Sequence, residues 1–205
     1  MNVWNGKTVG MIRPVTNFLI LNVLWIIGCL PIITVGPSTV AALAVLREWQ
    51  ISGNDSVFRS FFRLFQLHFK QGLLIGNGWI MGVVLFTIDL LFVLHLQSDW
   101  KIWILSLIGT VFLLWLLVGT ALFPCLVHYQ KSGLSLIKWS FISAFSDLQS
   151  ACAILLFWLA SALLFWISPV LMLFSFILIS YVTIRFSLSS FERLEQRAPA
   201  RFQHY

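Results

Sequence analysis

Long uncharged apolar runs separated by short polar joints dominate this chain. Residues 16–35, TNFLILNVLWIIGCLPIITV, carry no charge. They are long enough to cross a hydrocarbon core, which takes roughly 20 mostly apolar residues. Pro31 should kink this first span and Gly36-Pro37 should end it, because proline removes a helical donor and disfavours the helical region for the residue before it. The runs 72–96 and 102–127 read as a second and a third span, and the short joint QSDWK makes them an antiparallel hairpin. Residues 151–186 hold a single charged side chain, Arg185, and exceed one ordinary span; Ser168-Pro169 divides them into spans at 151–167 and 169–186.

Two segments have a different period. In 56–70, Phe58, Phe61, Phe62, Phe65 and Phe69 fall on one arc, with Arg59, Arg63, Gln66 and Lys70 on the other, which predicts an amphipathic helix with an aromatic face. Residues 133–149, with Lys138, Trp139, Phe141, Phe145 and Asp147, form a second such stretch. Residues 38–50 contain roughly eight apolar residues, too few to cross a bilayer, and read as an interfacial or re-entrant helix. ISGND at 51–55 is a turn. The expected fold is all-α: a polytopic transmembrane helix bundle of about five spans with two amphipathic interfacial helices. It forms one domain over 1–190, followed by a polar cytoplasmic tail at 191–205.

Composition agrees: 60% of the residues are hydrophobic and 10% charged, against about 25% charged in soluble domains, and the mean hydropathy is +0.94. The first run has no small-residue cleavage site and is expected to stay as a span. The excess of 13 Lys+Arg over 7 Asp+Glu would suggest nucleic acid in a soluble chain, but basic residues also gather on cytoplasmic membrane loops, and no nucleic-acid partner is expected. With five spans, Arg47, Arg59, Arg63, Lys70, Lys131, Lys138, Arg185, Arg193, Arg197 and Arg201 share one side, and Lys7, Arg13 and Lys101 the other. Ten against three predicts a cell-membrane protein with its N-terminus outside and its C-terminus cytoplasmic. Cys29, Cys125 and Cys152 lie in apolar runs without ligand spacing and read as small buried hydrophobes.

Few residues suggest chemistry. Asp89 is the one acid well inside a predicted span, about 10 Å from its outer end at 1.5 Å per residue. It is either an ion or proton site, with His95, His128 or a span amide as partner, or a headgroup-level acid bonded to Thr87. No polar groups converge on it, which favours the second reading. Asn22 and Asn77 read as interhelical hydrogen-bonding amides. Pro31, Gly36, Pro37 and Pro124 shape the helices, and Gly72-x-x-x-Gly76 and Gly78-x-x-x-Gly82 permit close approach. His68, His95, His128 and His204 form no metal pair, and phosphate loops, nucleophile elbows and CxxC pairs are absent. No cofactor, metal site or catalytic residue is expected, and the protein reads as a non-enzyme. The helix at 56–70 either floats on the inner leaflet or docks a partner through Arg47, Trp49, Phe58, Arg59, Phe61, Phe62, Arg63 and Phe65.

Asn22-Val-Leu-Trp25 and Leu30-Pro-Ile-Ile-Thr-Val-Gly-Pro-Ser-Thr39 resemble the YesL-like family of small bacterial membrane proteins. Trp49, Gly53, the run Val57-Phe-Arg-Ser-Phe-Phe-Arg-Leu-Phe65, Phe69-Lys70-Gln71 and Phe123-Pro124 continue the likeness, which extends over essentially the whole chain in length and span order. His68 stands where the family pattern has Asn. The family is typified by a domain of unknown function. Its members are often encoded beside carbohydrate ABC importers, so the resemblance implies an accessory or assembly role beside an ABC sugar permease. A small transporter or channel built on the second span and Asp89 is the alternative.

Overall fold

The computed structural model describes residues 7–52, 56–97, 99–129, 133–167 and 169–197. Of the turn expected at 51–55, Ile51 and Ser52 are helical and 53–55 lie outside the described residues, as do the break at Ser168 and the tail beyond 197. Among the described residues every element is helical: α1 (Lys7–Cys29), a 3₁₀ turn (Ile32–Thr34), α2 (Val35–Ser52), α3 (Val57–His95), α4 (Lys101–Tyr129), α5 (Leu134–Ser146), α6 (Leu148–Ile167) and α7 (Pro169–Arg197).

Pro31 interrupts the first apolar run, as its missing N–H requires, and caps the 3₁₀ turn from an exposed position. Thr34 Oγ1 donates to Gly28 O at 2.7 Å, a carbonyl in the last turn of α1, and to Pro31 O at 2.8 Å. The chain then turns back. Phe18 meets Trp49 edge-on at 5.5 Å, Trp25 Nε1 donates to Thr39 Oγ1 at 3.3 Å, and Gly28 faces Ser38, so α1 and α2 are antiparallel. Helices α2 and α3 are antiparallel as well: Gly36 lies against Gly72 and Gly76, and Glu48 pairs with Arg63. It follows that α1 runs parallel to α3 and lies beside its charged first half.

Helix α2 corrects the interfacial reading of 38–50. Every residue from Val40 to Leu46 is buried, because Ala41, Ala42 and Ala44 let α1, α3, α4 and α7 approach from all sides. A helix that is apolar all round belongs in a core.

Helix α3 joins the expected amphipathic helix and second span into one rod. No proline separates them, and Gly72 sits in backbone contact with Pro37 instead of breaking the helix. Beyond Gly76 the rod leaves the body. Only Val93 is buried between Asn77 and His95, and no residue is buried between Lys101 and Leu116 of α4. This hairpin extends about 28 Å at 1.5 Å per residue, close to the thickness of a hydrocarbon core. At its base the indoles of Trp79 and Trp115 stack at 3.5 Å and 6°, with Trp115 over Gly82 and Trp79 over Gly119. Gly82 therefore admits an aromatic ring, while Gly78 faces open space.

Among the described residues two helices, α3 and α4, are long and apolar enough to cross a membrane, or three spans if the bent pair Ser135–Ser146 and Leu148–Ser161 counts as one. Helices α1 and α7 supply the shorter apolar stretches Val15–Cys29 and Phe176–Ser189. Among the described residues the protein is thus all-α, with two or three helices whose length and composition suit a membrane span, fewer than the five expected. The second amphipathic stretch is divided by a 99° bend at Asp147, which caps α6: its Oδ1 accepts from Ser150 N at 3.4 Å and its Oδ2 from Ser150 Oγ at 2.9 Å. Helix α7 continues to Arg197, past the boundary expected near residue 190, and buries Phe191 against His128.

Candidate functional site: a basic cleft between α2 and α3

At the charged end of the body, α2 and the first turns of α3 leave a cleft of about 180 Å³. Arg47, Glu48, Arg63 and His68 supply its polar lining, and Ala44, Leu64 and Val127 part of its apolar wall. Antiparallel packing brings these groups together: Glu48 and Arg47 close α2 where Arg63 and His68 pass on α3. Arg63 Nη2 donates to both Glu48 oxygens, at 2.8 and 2.9 Å. Arg47 is half-buried, and its Nε is buried without a hydrogen-bond partner. Burial lowers the pKa of this guanidinium from its ordinary value, but an arginine remains protonated. His68 is buried on the opposite wall.

The other residues of the expected docking surface divide. Phe61 is 3% exposed and packs in the core, and Phe65 is half-buried between Phe61 and Phe69. Phe58 and Phe62 are 63% and 46% exposed, with ring centroids 4.9 Å apart, beside the exposed Arg59. Phenylalanines two helical faces wide cannot all face inward, so the aromatic arc is shared between the core and the surface. Trp49 is half-buried against Phe18, and its Nε1 has no hydrogen-bond partner.

The span residues fall elsewhere. Asn22 is buried and donates to Phe18 O at 3.1 Å within its own helix, leaving Oδ1 unpartnered. Gly36 and Pro37 are buried against Gly72 and Gly76. Asn77 is half-buried, and Pro124 is buried inside α4. Asp89 is exposed on the projecting hairpin and lines neither of the two clefts described. The second cleft is water-sized, about 20 Å³, among Thr120, Ser143, Asp147, Ser150 and Ser187. Arg193 reaches Asp147 there at 3.3 Å. Among the described residues, no three His, Cys, Asp or Glu side chains gather as metal ligands.

Sequence reasoning singled out Arg47 and Arg63 but missed Glu48 and His68 as their neighbours. Glu48 sits next to Arg47 in sequence, and only the antiparallel return of α3 turns it toward Arg63.

Fold and cleft together define an all-α protein with apolar helices compatible with a membrane and a small cationic recess at one end of its projecting hairpin. Residues 18–90 match the family described as "Protein of unknown function, DUF624", with which the YesL-like resemblance is consistent. The match runs from within α1 through most of α3, and so contains the cleft's α2 and α3 walls. No curated protein and no solved structure matches the chain.

Proposed function

We propose that the protein is a multi-pass cell-membrane protein of non-enzymatic, accessory function that docks a membrane partner through the charged end of α3. The carbohydrate ABC permease implied by the family resemblance is the proposed partner. The exposed pair Phe58 and Phe62 carries this reading. Arg59, Arg63, Gln66 and Lys70 are exposed around the same turns, and charges there keep this stretch out of the acyl core. Lipid tails therefore leave two aromatic rings uncovered, and an apolar patch rimmed by arginines suits a partner helix. Affinity purification of the full chain in mild detergent should co-recover a permease subunit, and the Phe58→Ser/Phe62→Ser variant should lose it while eluting as a folded species. The idea is sunk if the protein is recovered alone and sugar uptake runs normally without it.

The sidedness we propose departs from the five-span expectation in one respect. The parallel course of α1 and α3 favours the start of α1 on the same side as Arg59 and Arg63. Lys7 and Arg13 then join the inner set, and the split changes from ten against three to twelve against one, Lys101 alone lying outside. The C-terminus stays cytoplasmic. Fusing a reporter that is active only in the cytoplasm ahead of residue 7 should give signal; signal only from a periplasmic reporter would refute the arrangement.

A further inference from the structure

We propose that the cleft between α2 and α3 binds a phosphate-type anion, carried by a phospholipid headgroup or supplied free from water. Three features meet there. The first is charge. Both Glu48 oxygens accept from Arg63 Nη2, and two arginines against one glutamate leave the lining one net positive charge. The Nε of Arg47 is buried without a hydrogen-bond partner. The Nε of this half-buried guanidinium, beside Ala44, Leu64 and Val127, lacks the acceptor it would have in water, and phosphate oxygens fit its planar fork.

The second is size. About 180 Å³ falls below the roughly 300–1,000 Å³ of sites for drug-sized ligands, so an oligosaccharide does not fit, whereas a single tetrahedral anion does. The third is depth. His68 and Arg63 precede Gly72, where the apolar run begins, by about 6 and 13 Å along the helix. Headgroups extend the bilayer from about 30 Å to about 40–45 Å. With the hairpin across the membrane, as proposed above, the cleft opens at the level of lipid phosphates, which favours the lipid as the source.

Full-length protein in nanodiscs of mixed phosphatidylcholine and phosphatidylglycerol tests the lipid arm, by counting the phosphatidylglycerol retained after extraction by native mass spectrometry. Inorganic phosphate added to protein in neutral detergent tests the free arm, by calorimetric titration. Arg47→Gln should reduce phosphatidylglycerol retention about tenfold, the scale of one charge-assisted contact. Lys138→Gln, exposed on α5 away from the cleft, should behave as wild type. Glu48→Gln should raise retention severalfold by removing the one negative charge in the lining, an effect that misfolding cannot mimic. If Arg47→Gln weakens only the binding of inorganic phosphate, the site stands and its source is soluble. If both arms match wild type, the proposal is overturned. Should Arg47→Gln fail to fold, Glu48→Gln decides: a gain in either arm supports the site, and no gain in both overturns it. No partner protein is present, so failure of the permease reading leaves this result intact, and the reverse holds.

Discussion

Replacing Gly36 or Gly76 by alanine is expected to lower the stability of the purified protein by about 3 kcal/mol, at the upper end of overpacking effects. At this crossing of α2 and α3 the two backbones touch. A methyl on Gly36 would lie 2.7 Å from Gly76 Cα and against the Gly72 carbonyl, and one on Gly72 would lie 2.8 Å from Pro37 Cα. Each obstacle is backbone, so no rotamer change relieves the overlap and the two helices must move apart. Such a shift would disturb Val40 to Leu46 and the Glu48–Arg63 pair at once, because α2 is the core helix that α1, α3, α4 and α7 pack against. For a chain of this length the loss corresponds to about 6–12 °C in detergent, at roughly 2–4 °C per kcal/mol. Gly78→Ala gives the contrast. A methyl there meets nothing within 4 Å, and removing a helical glycine should stabilise by up to about 1 kcal/mol. If the Gly36 and Gly78 variants melt together, the close crossing is not a feature of the protein.

The same glycines show how far the sequence could be read. Gly72 and Gly76 were recognisable as a close-approach pair from spacing, but their partner was not, since Gly36 looked like the end of a span. The hairpin of α3 and α4 was legible because long uncharged runs and a short joint constrain little else. Helix α2 was not, although its signal was there. A short unbroken apolar run rich in alanine reads as an interfacial or re-entrant helix, too short to span, when the bilayer is assumed to be its solvent, and as a core helix once other helices are allowed to surround it. The amphipathic stretch 56–70 is legible as a helix, yet periodicity cannot say where a helix ends when no breaker follows. The cleft was legible by half. Arg47 and Arg63 stand out as charges in an apolar chain, but their meeting with Glu48 and His68 depends on antiparallel return, and long-range pairing leaves no mark on local pattern.

Phe191→Ala is expected to cost about 3–5 kcal/mol, the range for removing a buried aromatic ring. Read as sequence, SLSSFERLEQR is a polar tail in which one phenylalanine carries no weight. In the structure it is the last part of α7, and Phe191 is 2% exposed, stacked on His128 at 4.7 Å and 25°. Losing the ring would open a cavity where α7 crosses the end of α4, the helix whose buried residues Cys125, Leu126 and Val127 close the core behind the cleft. Phe191→Leu keeps most of the volume and should cost less, about 1–1.5 kcal/mol. Arg193→Gln, two residues on, removes only the partly exposed pair with Asp147 and should change stability by less than about 1 kcal/mol. That ordering, alanine far worse than leucine at 191 and little effect at 193, distinguishes a packed helix from a charged tail. In a tail, all three variants would unfold with the wild type in thermal melts of the detergent-solubilised protein, and residues 187–197 would have to be removed from the folded body.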